Sequence, residues 1–292
     1  MIESNLFCGK LKLMPNERTY IMGIINTTPD SFSDGGLYYS AQHAIDHGLR
    51  LIDQGADILD IGGLSTAPSS HGPISLEEEL ERVLPVVTGL AHHKISALSV
   101  DTSNSVVAQR ALECGASWIN DQEAGRGDSN MPTVLAQAQG CVLMHRRGLP
   151  GVVAGEKYNY KNISQEIVGF FEEQLAYLEN FGLKRERVVI DPGIGFGKGL
   201  ADSLALINNM KAFNLGALTM LGVSRKSFLK VLTNIGLASQ RDDAGLGAMA
   251  AGVMSGAHIL RVHNVKAAFD MTRVLDACLN ARKDHEDLYQ AR

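Results

Sequence analysis

The sequence predicts an α/β protein folded as a single (β/α)8 (TIM) barrel. Eight short apolar runs read as buried strands, and segments of helical periodicity separate them. The alternation fills roughly 250 residues, the size and rhythm of such a barrel. Alternation also fits a doubly wound open sheet, but no Gly-rich GxGxxG turn opens the first helix. No linker, charge run or low-complexity stretch divides the chain. One barrel is therefore expected over residues 21–284, with a short hairpin over 1–20 at its bottom and a tail over 285–292.

Gly9 and Pro15-Asn16 supply turn chemistry for the hairpin. The first strand, 21–25, ends abruptly at Asn26 and gives way to a Thr-Thr-Pro turn and a polar loop closed by Gly35-Gly36. A polar residue placed there is how a rigid scaffold presents a functional side chain. Residues 41–54 put Ala44, Ile45, Leu49 and Ile52 on one helical face, and strand 57–61 follows. The helix over 75–90 opens with Ser75 and Glu78 as a capping box, then runs through Leu76, Leu80, Val83 and Leu84. Strands are expected next at 97–100, 117–119, 141–144, 187–190, 219–223 and 257–262. Helices are expected between and after them at 104–113, 164–180, 201–213, 242–255 and 265–281, with weaker patterns around 131–138 and after 224.

With 45% hydrophobic and 20% charged residues the chain can bury a large core. Its net charge of −5, from 27 basic and 32 acidic residues, includes no basic cluster of the kind that binds nucleic acid. Cys8, Cys114, Cys141 and Cys278 form no CxxC pair, and Cys114 and Cys141 sit in apolar patterns that suit buried, inert thiols. No apolar signal region and no membrane-length stretch is present, so a cytoplasmic setting without membrane contact is expected.

In a barrel of this class the active site is built at the carboxyl ends of several strands at once. Read in order, those ends carry Asn26, Asp60, Asp101, Asn120, His145, Asp191, Ser224-Arg225-Lys226, and Arg261 with His263. Each alone has a structural explanation, such as Asn120-Asp121 capping a helix; all eight together point to a site. Lys226, Arg261 and His263 put three cations on the last two strands, where barrels often hold phosphate, and arginine offers it a planar fork. Asp101, Asn120 and Asp191 combine donors and acceptors suited to a flat, amide-rich heterocycle. The acids and histidines lack the spacing of an all-protein metal site, so a magnesium ion riding on phosphate with Asn26 as protein ligand fits better.

The runs MGIINTTPDSFSDGG (22–36), GADILDIGG (55–63), SVDTSNS (99–105), IND (119–121), VLMH (142–145), VVIDPGIGFGKG (188–199), LGVSRKSFL (221–229) and GAHILRVHNV (256–265) together resemble bacterial dihydropteroate synthases. The likeness extends over nearly the whole chain. It implies a transferase of folate biosynthesis, in which para-aminobenzoate attacks the methylene carbon of 6-hydroxymethyl-7,8-dihydropterin diphosphate to give 7,8-dihydropteroate and pyrophosphate. Carried over residue by residue, Asp101, Asn120, Asp191 and Lys226 would hydrogen-bond the pterin edge, and Met144, Gly195 and Phe196 would line its slot. Arg261 would stack on the ring and, with Asn26 and His263, hold the diphosphate, with Mg2+ at Asn26. Asp101, Asp191, Lys226, Arg261 and His263 would carry the catalysis, by stabilising charge on the carbon and on the leaving group. Phe32, Thr66, Pro68 and the Lys226-Ser227 region would surround aminobenzoate, and sulfonamides would mimic it there. The resemblance also implies a homodimer, for which Ala250, Val253, Met254, Ala268, Met271 and Val274 offer an apolar stripe. Two other readings are a non-catalytic pterin-binding paralogue and a pterin-dependent methyltransferase domain. The diphosphate residues argue against the first, and SRKSF with the TPDSFSDGG loop against the second.

The second loop departs from the family's GGESTRPG: Leu64 stands for the Glu and Ala67 for the Arg, and the loop is one residue longer before Ile74-Ser75. Losing such an electrostatic group typically costs about 100- to 1000-fold in rate. Gln122-Glu123-Ala124-Gly125 and Arg146-Arg147 also depart from the usual runs. His71, Arg126, Arg146 and Arg147 are the candidates for a replacement cation, with solvated surface charge as the alternative reading of all four.

Overall fold

The chain opens with a two-stranded antiparallel hairpin, β1 (Phe7–Cys8) and β2 (Leu11–Lys12), turning through Gly9 at φ +60°. Eight parallel strands follow: β3 (Tyr20–Asn26), β4 (Ile58–Gly62), β5 (Leu98–Asp101), β6 (Trp118–Asp121), β7 (Gly140–Met144), β8 (Val188–Asp191), β9 (Leu218–Leu221) and β10 (Ile259–Val262). They pair in sequence order, and β10 pairs with β3 to close the barrel. This computed structural model describes residues 6–15, 17–27, 37–63, 74–147 and 160–290, without the side chains of 37–40 and 282–290.

The helices between the strands are α1 (Leu37–Asp53), α2 (Leu76–His92), α3 (Ser105–Glu113), α4 (Met131–Gln137), α5 (Ile163–Glu179), α6 (Leu200–Ile207), α7 (Ser227–Thr233) and α8 (Asp242–Met254), with α9 (Val265–Gln290) last. Side chains cap α2, α3 and α5. Ser75 accepts from the Glu78 N–H at the start of α2, Asn104 from Val106 at α3, and Asn162 from Gln165 at α5. The two weakly patterned helices exist as α4 and α7, each of seven residues. The expected 201–213 helix is broken into α6 and a 3-10 turn at Met210–Phe213. The last helix runs on to Gln290, through most of the stretch that the sequence pattern leaves as a tail.

Strand alternation sorts the core into two compartments. Leu59, Ile61, Leu98, Val100, Ile119, Leu143, Ile190 and Leu260 point outward to the helices. Tyr20, Met22, Ile58, Ala97, Trp118, Val142, Val189, Leu218, Met220 and Ile259 fill the inside with Leu6, Cys8 and Leu13 of the hairpin, which plugs the bottom. Trp118 Nε1 donates to the Phe7 carbonyl at 2.7 Å, and Gln139 Oε1 accepts from the Gly9 N–H at 2.8 Å. On four strands the next inward position is polar, with Asp60, Asn120, Asp191 and Arg261 standing there, and Asp101 lies beside Asn120 in register. The same period of two that builds the core therefore lifts these groups into the barrel mouth.

Candidate active site

Arg261, from the end of β10, organises one half of the mouth. Its Nε donates to Asp60 Oδ2 and its Nη2 to Asp101 Oδ2, both at 2.7 Å. Asn120 Nδ2 also donates to Asp60 Oδ2, at 2.9 Å, and Gln122 Nε2 reaches both oxygens of Asp101 at 2.9 and 3.2 Å. Asp60 is fully buried, and its Oδ1 has no hydrogen-bond partner among the described residues. Burial pushes the Asp101 carboxyl up to about 7, against the pull of Arg261. Burial works against the Arg261 charge too, but Asp60 and Asp101 outweigh it and hold the guanidinium firmly protonated.

The other half pairs Asp191, at the end of β8, with Lys226, in the loop after β9. Burial raises the Asp191 carboxyl, opposed by Lys226 and by the Gly193 N–H, which donates to its Oδ1 at 2.7 Å. Burial lowers Lys226 to about 8, with Asp191 opposing. Its ammonium donates to the Ile194 carbonyl and lies 4.7 Å from the centre of the Phe196 ring. Gly222 lies beside both groups: a Cβ there would be 3.7 Å from Asp191 Oδ2 and from Lys226 Nζ, in ordinary contact with each. Arg225, at φ +61°, aims away from them and makes a two-pronged bridge to Asp242 at 2.8 Å per bond, while Arg241 Nη1 donates to its carbonyl. Strained backbone is thereby fixed next to Lys226.

His263 corrects the count of cations. Its Nδ1 is 2.9 Å from Ser224 Oγ, and burial, with Arg225 and Arg261 nearby, lowers it to about 3. The ring is neutral near pH 7, so this mouth carries two of the three expected positive charges. Arg261 is likewise committed to two carboxylates, which leaves Nη1 and its flat faces for a ligand.

A search against protein-family models matches residues 22–263 to the pterin binding enzyme family. The dihydropteroate synthase of Escherichia coli K12 is 38% identical over 266 residues, covering 91% of this chain and 93% of that enzyme. This chain belongs to the dihydropteroate synthase family. A folate synthesis bifunctional protein of Arabidopsis thaliana is also 38% identical, over 287 residues covering 93% of this chain; the chain spans 59% of that longer protein. Among solved structures, the Xanthomonas albilineans dihydropteroate synthase with 4-aminobenzoic acid superposes at a TM-score of 0.85, with 37% identity and coverage of 94% of this chain and 98% of that one. The same enzyme in complex with 7,8-dihydropteroate superposes at 0.83 with 36% identity, at the same coverage.

For a member of this family, the positions read from the sequence fall as follows. Asp101, Asn120, Asp191, Lys226 and Arg261 meet at the barrel mouth, with Met144 in register beside Asp191 and Gly195 and Phe196 in the loop over Lys226. Ser227 opens α7 directly after Lys226. Asn26 ends β3, half-buried, with no side-chain partner among the described residues. Phe32, Leu64, Thr66, Ala67, Pro68 and His71 lie outside the described residues. Of the candidate replacement cations, Arg146 is buried and pairs with Glu123 at 3.0 Å, and Arg126 lies over the Phe170 ring at 4.6 Å. Arg147 lies over Tyr160 at 4.7 Å.

Sequence reading passed over three residues that the structure puts in contact with this set. Asp60 was legible as a strand-end acid without a role of its own, and Gln122 only as the first residue of a run that departs from the family pattern. Lys198 stood in plain view within DPGIGFGKG. It is buried, with Nζ 3.0 Å from His145 Nδ1 and 3.1 Å from the carbonyls of both His145 and Phe196. Burial lowers Lys198 to about 7, and burial beside Lys198 lowers His145 to about 3. Asp121, the neighbour of Asn120, turns outward and serves the loop instead, accepting from Ser103, Glu123 and Gly125.

Proposed function

We propose that this chain is a dihydropteroate synthase, joining 6-hydroxymethyl-7,8-dihydropterin diphosphate to para-aminobenzoate and releasing pyrophosphate. The observation that carries the reading is the placement of Asp191 and Lys226 on either side of Gly222, each feeling the other's charge, opposite the Asp101–Arg261–Asp60–Asn120 network. These groups offer acceptors for the pterin ring N–H and amino groups and a lysine donor for its carbonyl. The flat guanidinium of Arg261, held by two carboxylates, is set to stack on the ring while Nη1 reaches toward the diphosphate.

The amine nitrogen of aminobenzoate supplies the electron pair of the new N–C bond. The C–O pair departs on pyrophosphate, and one N–H proton is lost. Aniline nitrogen is a weak nucleophile, so stabilising the leaving group and the electron-poor carbon is the effective route. Asp101 and Asp191 in their ionised forms face the second of these; Arg261, Lys226 and His263 serve the first. His263 is neutral when unliganded and gains its proton as the diphosphate arrives beside it. Magnesium fits the donor set: the Asn26 amide oxygen has no partner among the described residues, which also hold no cluster of three His, Cys, Asp or Glu to compete with a phosphate-borne ion. Bound there, it would neutralise charge on the leaving oxygens. Phe32, Thr66, Pro68 and Ser227 would form the aminobenzoate side.

A homodimer is part of the same reading. Val231 and Leu232 on α7, Leu237, Met254 on α8 and Val274 on α9 are all more than half exposed. Of the stripe named from sequence, Val253 and Ala268 are instead buried in the chain's own core, so Met254 and Val274 are its outward members. The deciding experiment supplies pterin diphosphate, Mg2+ and aminobenzoate and measures dihydropteroate and pyrophosphate. Stoichiometric appearance of both supports the reading. Pterin binding with neither product would make the chain a pterin-binding paralogue.

A further inference from the structure

The DPGIGFGKG run contributes Asp191, Gly195 and Phe196 to the proposed site, yet its lysine has no part in that chemistry. Lys198 is 3% exposed, and among the described residues its hydrogen bonds go to neutral acceptors: His145 Nδ1, the His145 carbonyl and the Phe196 carbonyl. No carboxylate among the described residues lies within ion-pair distance of it. A buried ammonium is normally held by a counter-ion. Here the three N–H bonds instead match three lone pairs, two from the end of β7 and one from the loop after β8.

That loop needs a fastener. Gly193, Gly195 and Gly197 have φ of +71°, +82° and +68°, so alternate residues bring no side chain to anchor it. Gly193 comes so close to β7 that a Cβ there would lie 1.9 Å from the His145 carbonyl oxygen. Lys226 holds the loop from one side, at the Ile194 carbonyl and the Phe196 ring. Lys198 holds it from the other, at the Phe196 carbonyl. His145 is itself packed edge-on against Phe170, with ring centres 4.8 Å apart.

We propose that Lys198 is a positioning residue: by clasping His145 and the Phe196 carbonyl it fixes the Gly195–Phe196 wall of the pterin slot and the ring against which Lys226 rests. The assignment rests on the reading of that wall as part of a pterin site. Below about pH 6 Lys198 is an ammonium, which cannot accept a hydrogen bond, so there His145 Nδ1 accepts and the ring proton sits on Nε2. Without Lys198, the buried His145 carbonyl and the part-buried Phe196 carbonyl lose this donor, and the glycine loop loses one of its fasteners.

The test has two arms. In the unaltered protein at about pH 5.5, where Lys198 is charged and His145 neutral, nitrogen NMR of the histidines, with His145 assigned through its contact with Phe170, is expected to show an unprotonated Nδ1 and a protonated Nε2. A proton on Nδ1 overturns the clasp, and this arm needs neither a variant nor substrate. In Lys198→Met, calorimetry with 6-hydroxymethyl-7,8-dihydropterin is expected to show affinity lower by about tenfold or more, as the loss of charged hydrogen bonds requires. The aminobenzoate KM should stay within about twofold. Unchanged pterin affinity, or an equal loss for both substrates, refutes a role confined to this wall. If the unaltered protein binds no pterin and forms no product, the proposed function fails, and the tautomer still decides the clasp.

Discussion

Replacing Arg261 with methionine keeps an unbranched stem and removes the guanidinium that holds two buried acids. Asp60 Oδ2 then loses its 2.7 Å bond from Nε and keeps only Asn120; Asp101 Oδ2 loses its 2.7 Å bond from Nη2 and keeps only Gln122. Asp60 is fully buried with Oδ1 already unpaired. Breaking a buried ion pair by removing one partner costs about 3–5 kcal/mol, a large share of the roughly 5–15 kcal/mol that holds a typical protein folded. The loss depends on pH. Asp101 stands at about 7 even with Arg261 pulling it down, so its loss moves the carboxyl higher. An acid whose folded pKa lies above its unfolded value destabilises the fold at high pH, and that cost fades as pH falls through the folded pKa. The deficit of Arg261→Met is therefore expected to be largest near about pH 8 and smaller near about pH 5. Urea denaturation followed by circular dichroism measures it. Adding Asp101→Asn should recover part of the loss at the higher pH, since the amide needs no counter-ion. A deficit below about 1 kcal/mol, or one equal at both pH values, would show that Arg261 is not the partner these acids depend on.

Lys226→Ala and Asp191→Asn should each lower turnover by about 100-fold or more with unfolding midpoints close to the parent's; steady-state kinetics with near-normal rates in both would remove them from the site. Because His263 sits at about 3 when unliganded, pyrophosphate binding near neutral pH should carry proton uptake that His263→Gln lacks, read by calorimetry in buffers of different ionisation enthalpy; equal uptake in the two proteins would leave His263 outside the anion site. Ala67→Arg, which restores the family's loop cation, should raise kcat/KM for aminobenzoate more than for the pterin diphosphate, and no change or a loss would mean that the longer loop closes by chemistry of its own.

The fold was legible because a barrel repeats its signal eight times. Each strand alternates inward and outward side chains, and the break from apolar to polar at its carboxyl end, as from Ile58 to Asp60 or from Val189 to Asp191, marks both the core and the mouth. What sequence could not carry was charge state and long-range pairing. His263 looks like a cation until burial near Arg225 and Arg261 makes it neutral. Asp60 looks like one strand-end acid among several until Arg261, 201 residues away, is found on it. Lys198 depends on a histidine 53 residues earlier, and Gln122 on Asp101, 21 residues earlier. None of these pairings has a periodicity to betray it.

The hairpin at the barrel bottom has a consequence for the order of assembly. Leu6, Cys8 and Leu13 are fully buried, yet their segment is fastened by Trp118 and Gln139, more than a hundred residues downstream. The first part of the described chain to leave a ribosome must therefore wait until β6 and β7 have been made before it can dock. During that interval the inner column has an uncovered end, and a sticky apolar plug has nothing to fill. Slow closure of contacts so distant in sequence is when such chains are open to wrong pairings. Crippling the plug, for instance with Leu6→Asp, should show first as a poor yield of folded protein during synthesis, since the polar mouth proposed as the active site lies at the opposite end of the barrel.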